Sequence, residues 1–144
     1  MTGASAIDAE RAFTRAARGR RRAALTRRLR RAPAERARLC VYGEPRLTRA
    51  RAQVSQGVRE IPLDAISGTL EPSRAAMFDG CFRPAARARR RWERVWLAEH
   101  QGAVLPPISV VAVDGGYAVR DGHHRVSVAK ARGAVSIDAT VDAA

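Results

Sequence analysis

The chain has 144 residues, 46% of them hydrophobic, which is enough for one modest core and no more. Its net charge of +13 makes nucleic acid or another polyanion a reasonable class of partner. No apolar run approaches the roughly 20 residues of a membrane span, and the N-terminus carries no signal-peptide pattern, so a cytoplasmic protein without a membrane partner is expected.

Residues 1–43 are read as a basic helical arm. Residues 1–40 hold twelve arginines against Asp8, Glu10 and Glu35, a net of +9 out of the chain's +13. Ala- and Arg-rich sequence favours helix. Phe13, Ala17, Leu25 and Leu29 give only a narrow apolar stripe, Gly19 weakens the middle, and Pro33 ends the helix or starts a new turn. Two readings are open. In one, Arg20, Arg21, Arg22, Arg27, Arg28, Arg30 and Arg31 clamp nucleic-acid phosphates without sequence specificity. In the other, a solvated helix docks loosely, its charge set by the codon usage of a GC-rich genome, since Lys130 is the only lysine. No aromatic residues alternate with the arginines, so base stacking is not indicated.

Residues 44–57 read as a linker. Gly43 and Pro45 mark a turn, and residues 50–54 a short helical piece. The body spans residues 58–144. Glu60-Ile61-Pro62-Leu63-Asp64-Ala65-Ile66 reads as a short strand and a turn of helix, and Pro62 places that strand at an edge or at its start. Met77, Phe78 and Phe82 form an apolar group that seals the core. Residues 85–101 read as a helix with Trp92 and Trp96 on one face, an aromatic spacing that is more often core than ligand cage. Arg87, Arg89, Arg90, Arg91 and Arg94 are taken as a solvated face. Cys40 and Cys81 have no CxxC neighbour and are expected to be reduced, with neither disulfide framework nor zinc ribbon.

The stretch 105–133, LPPISVVAVDGGYAVRDGHHRVSVAKARG, carries the chemistry. Residues 108–113 suit a strand buried on both faces. Asp114-Gly115-Gly116 supplies hairpin turn chemistry, and residues 117–119 return as a second strand. Asp121 is expected to cap a helix that Gly122 opens and Gly133 stops. The first turn of that helix offers unpaired N–H groups and the positive end of the dipole, beside Gly122, His123, His124 and Arg125. Arg125 can hold a phosphate in a fork, and the two imidazoles can donate to it. The alternative is a capped helix with two solvated histidines. His123 and His124 diverge by about 100° on a helix, so no structural zinc is expected. Residues 135–141 alternate apolar and polar, as a half-buried strand does.

The run Gly122-His123-His124-Arg125-Val126-Ser127-Val128-Ala129-Lys130, closed by Gly133, resembles the G-E-R-R-x-R-A-A-K segment of the ParB N-terminal domain and the G-C-H-R segment of sulfiredoxin. LPPISV is similar to the Q-P-I-x-V strand that precedes it in ParB proteins, and residues 60–66 to their I-P-L-x-x-I opening. DGHHR resembles a form found in bacterial ParB-like proteins, and a related Asp-Gly-His form occurs in the free-serine kinases of the same superfamily. The resemblance covers roughly residues 58–144. It implies an α+β fold of ParB/sulfiredoxin type, a small mixed sheet with packed helices, here preceded by the Arg-rich helical arm. It also implies that Arg74, after Pro72, faces a nucleotide. It gives no expectation of sequence-specific DNA reading, because it does not reach a helix-turn-helix region. His123 stands where sulfiredoxin has its cysteine, so sulfinic acid reduction is not expected.

The resulting expectation is a nucleotide-binding ParB-like module associated with nucleic acid, taking CTP, ATP or ADP with or without Mg2+ at Gly122, His123, His124, Arg125 and Arg74. The alternative is a phosphotransferase or NTP hydrolase using Asp121 or Glu60 as base and His123 or His124 to stabilise the transferring phosphoryl group. A third reading is a ParB-like nuclease, for which only Asp114 and Asp121 stand near the motif.

Overall fold

The computed structural model of the chain describes residues 3–33, 36–43 and 57–142. Helix α1 (Gly3–Leu29) comes first, then strands β1 (Cys40–Val41), β2 (Val58–Pro62) and β3 (Ile66–Thr69). Helix α2 (Arg89–His100), the hairpin β4 (Ile108–Val113) and β5 (Gly116–Asp121), helix α3 (His123–Ala131) and β6 (Ser136–Asp142) follow. Among the described residues the six strands form one mixed sheet in the order β1-β3-β5-β4-β6-β2. The chain is therefore α+β, with an Arg-rich helix ahead of the sheet. Pro45 of the expected turn and the expected helical piece at 50–54 lie outside the described residues.

Period-2 alternation puts successive side chains of β4 on opposite faces. Val110 joins the main core, which also holds Ile61, Val119, Ala139, Phe13, Trp92 and Val126. Val111 packs with Leu70 and Ala118 on the other face, under Tyr42. Both valines are fully buried, as a central strand requires. All three helices contribute to the main core, so they cover one face of the sheet. Among the described residues β2 pairs with β6 alone, antiparallel, and Pro62 ends it at this edge.

The N-terminal helix differs from a loosely docked arm. It runs unbroken through Gly19 and buries Ala9, Ala12 and Phe13. Phe13 meets Trp92 edge-on at 5.5 Å, and burying one such side chain contributes roughly 1.5–3 kcal/mol. Leu25 and Leu29, expected on the same stripe, are 57% and 76% exposed. The apolar stripe is thus used only along the first half of the helix. Residues 36–43 are tied to the body by backbone bonds, Leu39 N–H to Ala75 O at 3.1 Å and Tyr42 N–H to Thr69 O at 2.9 Å. Leu39 is in the main core, and β1 pairs β3 in parallel.

Candidate functional site

The turn between β5 and α3 is made by Gly122, the N-cap, at φ 113° and ψ 22°. A Cβ there would stand 2.4 Å from Ile108 Cγ2, so both conformation and space demand glycine. Asp121 does not cap the helix as expected. It is the last residue of β5, and the N-cap makes no side-chain cap bond. The glycine bends the chain by itself, which leaves the Asp121 carboxylate outward and 75% exposed.

The first turn of α3 lines a pocket of about 180 Å³. Its other walls are Arg74, Arg91 and Val95 of α2, and Leu105-Pro106 ahead of β4. Three guanidinium groups, Arg74, Arg91 and Arg125, thus meet one carboxylate, Asp121. Arg125 is largely buried; it donates to the Pro106 carbonyl and lies 3.9 Å from Asp121. Burial and the neighbouring Arg91 lower its pKa, and the carboxylates of Asp121, at the rim, and Glu99, on α2 outside the pocket lining, oppose that shift. Arg74 donates weakly to Met77 Sδ at 3.5 Å. The structure brings Arg74 to Gly122 and Arg125 across some fifty residues of sequence. Arg91 was not singled out from the sequence, where it is one of a run of arginines on a helix taken as solvated. Its signal is positional: it precedes Trp92, whose indole N–H donates to Ser127 of α3 at 2.8 Å, so Arg91 sits beside the start of that helix.

The histidines differ from the solvated reading. They are not solvated: His123 and His124 are only 4% and 5% exposed, although both line the pocket. His123 Nε2 shares a 2.6 Å hydrogen bond with Thr69 Oγ1, and its ring stacks near Phe78. His124 meets Phe78 edge-on at 5.2 Å, and its Nε2 is buried with no hydrogen-bond partner. Burial is the chief cause that lowers the pKa of each to about 4. Arg74 adds to the shift of His123, and Arg91 and Arg74 to that of His124. Both rings are neutral at pH 7 and line the pocket.

Glu60 is placed elsewhere. β2 lies three strands from β5 in the sheet, roughly 14 Å away, and the Glu60 carboxylate accepts from Ser136 Oγ. A proton-transfer role at α3 does not fit that placement, because a base must reach the proton it takes within about 3 Å or through one water. Neither Cys40 nor Cys81 lines the pocket, and both are free thiols. Among the described residues no three His, Cys, Asp or Glu side chains gather as a metal would require, and no helix is long and apolar enough to cross a membrane. Of the arm arginines, Arg21, Arg22, Arg28, Arg30 and Arg31 are exposed, and Arg20 and Arg27 half-buried.

No family model and no curated protein matches the chain. Among solved structures, the crystal structure of sulfiredoxin from Arabidopsis thaliana is similar at a TM-score of 0.42 and 22% identity, over 61% of this chain and 86% of that one. A likeness at that level transfers no ligand and no activity.

Proposed function

We propose that the chain is a nucleotide-binding module of ParB-like type, and that the pocket at the start of α3 takes a phosphate group. The observation that supports this is the meeting of three guanidinium groups and a helix N-terminus around one pocket with a single, solvent-facing carboxylate. Backbone N–H groups and the helix dipole favour an anion there, and guanidinium groups bind phosphate oxygens in a fork. At about 180 Å³ the pocket is smaller than the roughly 300–1,000 Å³ that encloses a drug-sized ligand. A phosphate fits inside while base and sugar stay at the rim. The neutral histidines shape this site rather than charge it. The resemblance of residues 122–130 to the ParB segment points to the same ligand class, CTP, ATP or ADP, with or without Mg2+.

The test is a thermal-shift screen of the four NTPs and ADP, with inorganic phosphate as a further ligand. A ligand at 100 times its Kd adds about 2.7 kcal/mol of stability. Arg74→Ala and Arg125→Ala should each weaken binding about 10- to 100-fold, since a charge-assisted bond contributes about 1.5–3 kcal/mol. If both variants fold and bind every nucleotide as well as wild type, the reading is wrong.

One observation favours the enzymatic alternative: the Asp121 carboxylate is solvent-facing at the rim of the pocket. Asp121→Asn separates the two. A binding module should hold phosphate equally well or a few-fold more tightly once the opposing charge is gone. A phosphotransferase or hydrolase with Asp121 as base should bind nucleotide and lose turnover.

A further inference from the structure

We infer that the solvent-facing side of α1 is a docking surface for double-stranded DNA, separate from the α3 pocket and independent of the nucleotide reading. Residues 11–33 contain ten arginines and neither an aspartate nor a glutamate. None of the ten forms an ion pair among the described residues; the five ion pairs all use arginines of the body. Among the described residues no carboxylate pairs with them, and the exposed members of the set are left to solvent and counterions.

The helix gives these charges a shape. At 100° per residue, Arg15, Arg18, Arg21, Arg22 and Arg28 fall in an arc of about 140°. That arc is centred opposite the line through Ala12, Phe13 and Ala16, which face the core. All five side chains are exposed. They extend over about 20 Å of helix axis. Phe13 against Trp92 anchors the first half of the helix, so the surface is part of a packed element rather than a tail that must order on binding.

A cationic arc on one rigid helix complements a groove walled by two phosphate strands. The major groove of B-DNA is about 12 Å wide and admits an α-helix, whereas that of A-form RNA is too deep and narrow. Residues 14–33 contain no aromatic side chain on which single-stranded bases could stack. Leu25 and Leu29 are the large apolar side chains exposed in this half, too few for the broad apolar face of a membrane-surface helix. Residues 11–33 carry no acidic or amide side chain to accept from cytosine or pair with adenine, so the inferred contact is mainly arginine to phosphate, with little dependence on sequence.

The experiment is fluorescence anisotropy of the full chain on a labelled 20-base-pair duplex of arbitrary sequence, between 50 and 200 mM salt. Five phosphate contacts give a slope of log K against log salt near −4 to −5, at about −0.9 per contact. The triple variant Arg21→Gln, Arg22→Gln, Arg28→Gln should fall to a slope near −2 by the same relation. The corresponding triple Lys variant should keep the wild-type slope. A wild-type slope shallower than −2 overturns the inference without recourse to any variant, and so does a Gln variant that folds and keeps the wild-type slope. Tighter binding to an RNA duplex of the same length, to a single strand, or to vesicles rich in phosphatidylserine also overturns it.

Discussion

His123 and His124 tie the pocket to the stability of the whole chain. Their pKa values near 4 in the folded state lie below the ordinary 6.5 of the unfolded chain. Between those values the unfolded state binds more protons, so stability rises with pH there. The contribution is complete above pH 6.5 and drains away as pH falls toward 4. Each histidine supplies up to about 3 kcal/mol over that window, against a typical total of 5–15 kcal/mol for a domain. Melting temperature should therefore drop steeply between pH 6.5 and 4.5, and neither imidazole should titrate by NMR near pH 6.5 in the folded protein. A melting temperature that is flat from pH 7 to 5 would show that these rings are not held neutral by burial. This burial was not legible locally. The partner of His123 is Thr69, 54 residues away, and the ring wall is Phe78. A Gly-His-His-Arg turn read alone only shows polar groups at a helix start.

Two glycines show what an element tolerates. At Gly122 a methyl group would collide with Ile108 at 2.4 Å, and φ of 113° is a region that L side chains rarely adopt. Gly122→Ala should destabilise the chain by about 3 kcal/mol or more, a value expected for combined strain and overpacking. At Gly19 a Cβ would meet Arg83 at an ordinary 3.5 Å. Gly19→Ala should stabilise by about 0.5–1 kcal/mol through helix propensity and chain entropy. Denaturant midpoints of the two variants should move in opposite directions; movement in the same direction would contradict the geometry of one turn. The same contrast explains what the sequence made readable. Strands β4, β5 and β6 and helix α3 were legible because β-branched runs, Asp-Gly turns and a terminal glycine signal locally. The weakening expected at Gly19 does not interrupt the helix. Its propensity cost of about 1 kcal/mol is smaller than what Ala12, Phe13 and the partly buried Ala16 contribute by packing. The cap expected of Asp121 failed because Gly122 makes the bend unaided. Arg91 was hidden by its neighbours, since composition alone cannot show which member of an arginine run faces a distant helix.

At the scale of the whole molecule, α1 serves two ends. Its inner line completes the core, and its outer arc holds the exposed charge. A chain truncated to residues 58–144 would lose Ala12, Phe13 and Leu39 from the core and β1 from the sheet. Such a truncation cannot separate the roles, because loss of DNA binding and loss of folding would coincide. Point substitutions can. Phe13→Ala should cost about 3–5 kcal/mol, the range for removing a buried aromatic side chain. It would leave Trp92, fully buried in the native chain, without its edge-on partner. Leu29→Ala, at a side chain 76% exposed, should change stability by less than about 0.5 kcal/mol. Urea unfolding followed by tryptophan fluorescence reports directly on this site, since Trp92 lies against Phe13 and Trp96 packs at the edge of the same core. If Phe13→Ala unfolds at the wild-type midpoint, α1 is not part of the cooperative unit, and the DNA-binding surface would then belong to an independent arm. If the midpoint falls by the expected amount while Leu29→Ala leaves it unchanged, the first half of α1 is structural, and the charge on its second half continues a helix already anchored before any partner arrives.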